Sequence, residues 1–95
     1  MPGYLIFEIE ITNAERYEEY KKMVPGTIEK FGGRFVVRGG RIEALEGGWS
    51  PKRIGIIEFP SVEQAKAWYD SPEYAPAKKL RHETSRGKII IVEGV

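Results

Sequence analysis

Four short stretches of this chain alternate their residues with a period of two, and one side of each is apolar throughout. Tyr4–Ile11 places Leu5, Phe7, Ile9 and Ile11 on one side, Arg34–Arg38 places Phe35 and Val37, Arg53–Phe59 places Gly55, Ile57 and Phe59, and Lys88–Glu93 places Ile89 and Ile91. Strands with one apolar face must cover it, and the segments between them supply the cover. After the first strand, Thr12-x-x-Glu15 forms a capping box, with Asn13 as an alternative cap. Beyond it Tyr17, Tyr20, Val24, Ile28 and Phe31 recur at steps of three and four, and Gly32-Gly33 ends the run. Pro25 either kinks this helix or divides it. A second capping box, Ser61-x-x-Gln64, opens a helix with Val62, Ala65, Trp68 and Tyr69 on its buried side. Ser71-Pro72 restarts a turn, and a short third helix runs on from Pro76 with Ala77, Leu80 and Thr84 inward.

The resulting order, β-α-β-β-α-β, predicts an α+β ferredoxin-like fold: one four-stranded antiparallel sheet in the order 4-1-3-2 with all helices on one face. Ninety-five residues make one domain, spanning 1–95. A chain of this size buries only about 60–65% of the surface its unfolded form exposes, so its core calls for a supplement. With no cysteine, disulfides and thiolate metal sites are out, and a single histidine leaves no imidazole metal site. A second subunit is the supplement that remains. The face away from the helices supports this, because it carries Ile6, Val36, Ile54, Ile56, Ile90 and Val92, a patch that predicts a homodimer packed sheet to sheet.

Fifteen basic and fourteen acidic residues leave a net charge of +1, which predicts neither nucleic acid nor acidic lipid as a partner. No run of the sequence is long and apolar enough for a membrane span, and a cytoplasmic location is expected. One asparagine and one glutamine among many Lys, Arg, Glu and Ile is a composition associated with heat adaptation.

The charges on the outer face suggest chemistry. Taking the first and third strands as parallel neighbours brings Glu8 beside Glu58, in a row Lys88, Glu8, Glu58, Arg34, with Arg38 and Tyr4 at the far end. Such a row is either a salt-bridged rim of the dimer or a pair of carboxylates in which one pKa rises and serves as general acid or base. Tyr17, Tyr20, Trp68, Tyr69 and Tyr74, with the Ser71 turn, are either a plain aromatic core or the wall of a pocket for a flat ligand. Arg38, Arg53 and Arg81 are candidates to grip a substrate carboxylate by the guanidinium fork, with pairing to Glu46 or Glu58 as the alternative. Lys78, Lys79, Arg81, His82, Arg86 and Lys88 read as a solvated basic face, and the two Gly-Gly-Arg segments as turns.

Laid out in order, Tyr17-x-x-Tyr20, Gly32-Gly33-Arg34-Phe35, Val37-Arg38-Gly39-Gly40, Glu46-Gly47-x-Trp49, Arg53, Glu58-Phe59, Ala67-Trp68-Tyr69-x-Ser71-Pro72-x-Tyr74 and Arg81 make the chain resemble the bacterial proteins of domain of unknown function 1330. The resemblance implies the dimeric α/β-barrel superfamily, in which two ferredoxin-like sheets face each other. It brings no established activity. Superfamily relatives include cofactor-independent monooxygenases, lactone isomerases and haem-binding branches, which implies a small organic ligand between sheet and helices or within the barrel. With His82 expected in solvent, no haem or other cofactor is expected. Two functions stay open: a dimeric binding protein, or a cofactor-independent enzyme on a small aromatic or carboxylate-bearing substrate.

Overall fold

The computed structural model describes all residues from Met1 to Val95. Its elements are β1 (Gly3–Ile11), α1 (Ala14–Lys30), β2 (Arg34–Arg38), β3 (Arg53–Phe59), α2 (Val62–Tyr69), α3 (Ala75–Thr84) and β4 (Ser85–Glu93). The strands form one sheet in the order β2-β3-β1-β4, the predicted 4-1-3-2 seen from the other edge. No helix is long and apolar enough to cross a membrane. Leu5, Ile9, Ile57 and Phe59 of the sheet are buried against Val24 and Ile28 of α1, Ala65 and Trp68 of α2 and Ala77 of α3. Gly55 stands in mid-strand because the Phe7 ring occupies the space a Cβ would need.

Asn13, the alternative cap, starts α1: its side chain accepts a hydrogen bond from the Arg16 amide at 3.1 Å. The helix ends in a Schellman motif, with the Gly33 amide on the Ile28 carbonyl and the Gly32 amide on the Glu29 carbonyl, both 3.0 Å, and Gly32 at φ +79°. Between these ends the helix runs unbroken through Pro25. A proline has no amide to offer the carbonyl four residues back, here Lys21. That carbonyl accepts a hydrogen bond from Arg38 Nη2 at 3.0 Å instead.

Arg38 reaches α1 because of a bulge. In β2, Arg34 lies opposite Glu58 and Phe35 opposite Ile57, but the next paired residue is Val37, opposite Ile56. Val36 is the extra residue. From there on the alternation is reversed relative to the sequence expectation: Val37, predicted under the helices, shares the outer face with Ile56. Arg38, predicted outside, shares the inner face with Phe35, and its guanidinium lies 4.5 Å from that ring's centre.

Two further expectations change. β4 starts at Ser85 rather than Lys88, because β1 continues to pair with it as far as Ile11 opposite Ser85. Gly87 therefore sits inside the strand, where the Glu8 carbonyl of β1 comes too close for any Cβ. And β1 and β3 are antiparallel, not parallel: in the split β-α-β arrangement β1 and β2 run together and β3 runs back between them. The outer face thus carries a straight aliphatic row, Val37, Ile56, Ile6 and Ile90, one residue from each strand.

Candidate functional site

The reversal of β3 separates the two candidate carboxylates. Glu58 lies opposite Tyr4 and Glu8 opposite Ile54, four residues apart along β1, or about 13 Å at the rise of an extended strand. Lys88 does lie opposite Glu8 and Arg34 opposite Glu58, but the two pairs sit at opposite ends of the sheet. The expected row of Lys88, Glu8, Glu58 and Arg34 therefore does not form, and Tyr4 stands at the Glu58 end. Glu58 accepts a hydrogen bond from the Tyr4 hydroxyl at 3.0 Å and pairs with Arg34 at 2.9 Å. Bonding to the carboxylate, together with some burial and its charge, raises the Tyr4 hydroxyl above the usual tyrosine range. Glu8 accepts from the indole of Trp49 at 2.6 Å. Trp49 belongs to the long β2–β3 connection, which folds back over the outer face, and nothing in its spacing from Glu8 announced that contact.

The five aromatic candidates do come together, on the inner side. Ring centres are 4.0 Å apart for Trp68 and Tyr74, 5.2 Å for Tyr17 and Tyr20, and 6.2 Å for Tyr69 and Tyr74. Four of them pack as core: Trp68, Tyr74, Tyr17 and Tyr20 are all buried, and only Tyr69 borders open space. The Trp68 indole donates to Thr27 Oγ1 at 3.0 Å. Ser71 is occupied by its turn, donating to the Trp68 carbonyl and accepting from the Tyr74 amide.

Beside this cluster lies the arrangement with chemical potential. The hydroxyls of Tyr20 and Tyr74 are 3.0 Å apart, and Arg81 Nε donates to the Tyr74 hydroxyl at 3.2 Å. Burial pushes the Tyr20 hydroxyl far above the usual range, with Tyr74 adding to the effect and Arg81 opposing it. Tyr17 is also raised, by burial first, against the opposing charges of Arg53 and Arg81. Arg81 is only 6% exposed. Burial disfavours its charge, yet its contacts with Tyr74, Tyr20 and Tyr69 carry its pKa upward, so the guanidinium is charged. Neither Arg53 nor Arg81 takes part in any of the chain's ion pairs, so the expected pairing with Glu46 or Glu58 is absent. Arg53 Nε is buried with no acceptor at all, its guanidinium tucked under Gly39.

Arg81 lines a cleft of about 440 Å³ between α3 and β4, bordered also by Tyr69, His82, Arg86 and Ile89. Arg53 and Arg38 do not line it. His82, expected in solvent, is exposed but lies at the cleft's mouth, with Nε2 3.2 Å from Arg81 Nη2. The sequence did hold a signal for Arg81. Tyr74, Ala77, Arg81 and Thr84 follow one another at steps of three and four, and all four are buried. Grouping Arg81 with the neighbouring lysines by charge hid that spacing.

A family model described as "Domain of unknown function (DUF1330)" matches residues 2–95. Among curated proteins none matches. Several solved structures share the fold. A protein of unknown function from Rhodopseudomonas palustris is 24% identical, with 99% of this chain and 82% of that chain covered and a TM-score of 0.75. A dimeric ferredoxin-like protein of unknown function from Jannaschia sp. CCS1 is 18% identical, with 100% and 99% covered and a TM-score of 0.71. SnoaB from Streptomyces nogalater, a cofactor-independent oxygenase, is 9% identical, with 99% and 93% covered and a TM-score of 0.71. At these identities the likeness is one of fold.

Proposed function

The chain belongs to the family described as Domain of unknown function (DUF1330), and on that premise we propose that it is a cytoplasmic homodimer that binds a small organic molecule between its helices and its sheet. One observation carries the binding. The cleft beside Arg81 and a second, apolar recess of about 260 Å³ lined by Leu5, Tyr69, Ile89, Ile90 and Ile91 share Tyr69 and Ile89. Adjacent along β4, they are read as one groove, polar at one end and apolar at the other. A thermal-shift screen of small organic molecules tests it: binders raise the midpoint, and Ile89→Trp, which fills the junction, cancels their effect. A screen in which no compound shifts the midpoint overturns the reading.

The homodimer is supported by the outer face. Ile90 in the aliphatic row is 57% exposed, and Val36 and Val92 beside it are 41% and 44% exposed; a contiguous apolar patch of this kind marks an interface. Ile56→Lys in the middle of the row gives monomers or insoluble protein, and a dimeric mass for that variant by light scattering refutes the assignment. Heat adaptation is a companion reading from composition, which a midpoint within the ~45–65 °C of ordinary domains contradicts.

A catalytic reading has one observation in its favour. Glu58, held by Tyr4 and Arg34, lines a recess of about 480 Å³ with Gly32 and Pro60. There its carboxylate takes up or returns a proton, while Glu8, engaged by Trp49, has the lesser role. Glu58→Gln that still turns over a substrate found by the screen removes this reading and leaves the binding protein.

A further inference from the structure

We infer that the molecule held in this groove is an amphipathic carboxylate, its anionic head on Arg81 and its hydrocarbon body along Tyr69, Ile89 and Ile91. The inference deepens the binding reading above and rests on it.

Three observations carry it. The first is an uncompensated charge. Charged side chains are seldom buried without a partner, because removing one from water costs several kcal/mol that only an opposite charge or a full set of hydrogen bonds offsets. Arg81 is buried and has no carboxylate. Its Nε is satisfied by Tyr74 and its Nη2 by His82, which leaves Nη1 without an acceptor in the chain.

The second is the lining. The cleft is lined by Arg86 and His82 besides Arg81 and by no carboxylate, so its potential is positive. Glu10 is the acid that pairs with the cleft's Arg86, at 3.2 Å. His82 is held below the usual histidine range by partial burial and by the charges of Arg81 and Lys78; it is therefore neutral, and its ring nitrogen accepts from Arg81 rather than competing for the anion.

The third is the shape. The polar end and the apolar recess lie side by side, with Tyr69 and Ile89 lining both, and apart from the Tyr69 hydroxyl the recess is lined by aliphatic side chains. A free inorganic anion leaves that recess empty, and a neutral hydrocarbon leaves Arg81 unpaired. A carboxylate with an aliphatic or aromatic body fits both ends. A planar carboxylate also matches the guanidinium fork.

The test is a titration of the unaltered protein, by calorimetry near neutral pH, with octanoate, octanol, octylamine and acetate. Octanoate binds on the order of 10- to 100-fold more tightly than octanol, the worth of one hydrogen bond to a charged group, and octylamine and acetate bind more weakly still. Arg81→Met, its fold checked by circular dichroism, abolishes the preference for octanoate over octanol while octanol binding persists. Arg81→Lys keeps part of it. If octanol binds as well as octanoate, the anion site is refuted and the groove stands. If none of the four binds, the groove itself is refuted and this inference with it. Because the comparison of ligands needs no substitution, misfolding of an Arg81 variant does not rescue the idea.

Discussion

The arginines of the outer surface and those of the inner layer are treated in opposite ways. Arg16, Arg34, Arg41 and Arg86 each lie within 3.2 Å of a carboxylate, although water already solvates them and such pairs contribute little. Arg53 and Arg81, where pairing would matter most, have no carboxylate. Their neighbours are tyrosine hydroxyls, a neutral imidazole and a glycine. A core selected for stability alone would carry methionine or leucine at those positions. On the proposal above, Arg81 is kept buried against that gradient because its partner comes from outside, as stability is commonly given up where function requires it.

The sharpest way to break this contrast is to delete the same atom in both regions. Tyr74→Phe removes the hydroxyl that links Tyr20 to Arg81 and leaves two buried groups short of a partner, which costs about 2–3 kcal/mol in urea denaturation. Tyr4→Phe removes a hydroxyl from the half-buried Glu58 cluster, where Arg34 and water remain as partners, and moves the midpoint much less. Equal losses would mean that the inner network is no more constrained than the surface. Next in size is Gly39→Ala. At φ +70° a side chain costs about 1–2 kcal/mol, and here its Cβ also meets the Arg53 guanidinium; a loss no larger than that backbone cost would show that Arg53 is not confined.

Arg34→Ala comes third, with a change within ~0.5 kcal/mol, since Arg34 itself is mostly exposed and Glu58 keeps its bond from Tyr4. That number also probes the dimer. A loss that grows on dilution would show the pair to be covered by a second subunit. The smallest effect is a pH dependence. His82 has a depressed pKa in the folded chain, set by burial and then by Arg81 and Lys78, with Arg86 on the same cleft. The unfolded chain therefore takes up the proton first, so stability is unaffected above the ordinary histidine value of ~6.5 and falls as the pH drops below it. His82→Asn removes that slope; identical melting losses between pH 7.5 and 5.5 for both proteins would contradict the assignment.

Much of the fold was legible because burial is periodic. Leu5, Ile9, Ile57 and Phe59 announced the inner face by alternation, and Asn13, Ser61 and Gly32 announced helix ends by their chemistry. The bulge was not legible, since Val36 differs in no way from its neighbour and an inserted residue leaves no trace in composition. The charged row failed for a different reason. Each glutamate was placed on the correct face, but which end of the sheet it occupies depends on strand direction, and one direction was misassigned. At the candidate site the aromatic residues were recognisable from helical spacing. That Arg81 joins them is visible in the same spacing once charge is set aside.

The bulge has a genetic consequence. It turns Arg38 inward, Arg38 serves the Lys21 carbonyl, and that carbonyl lacks its usual donor because of Pro25. The three positions are therefore one character rather than three. Pro25→Ala restores the helix's own amide and makes Arg38 dispensable, so Arg38→Ala should be costly in the parent and nearly silent in that background. Substitutions along this path become tolerable in a fixed order, helix first and strand second, although the two residues are thirteen apart in the chain and neither lines the cleft or the apolar recess.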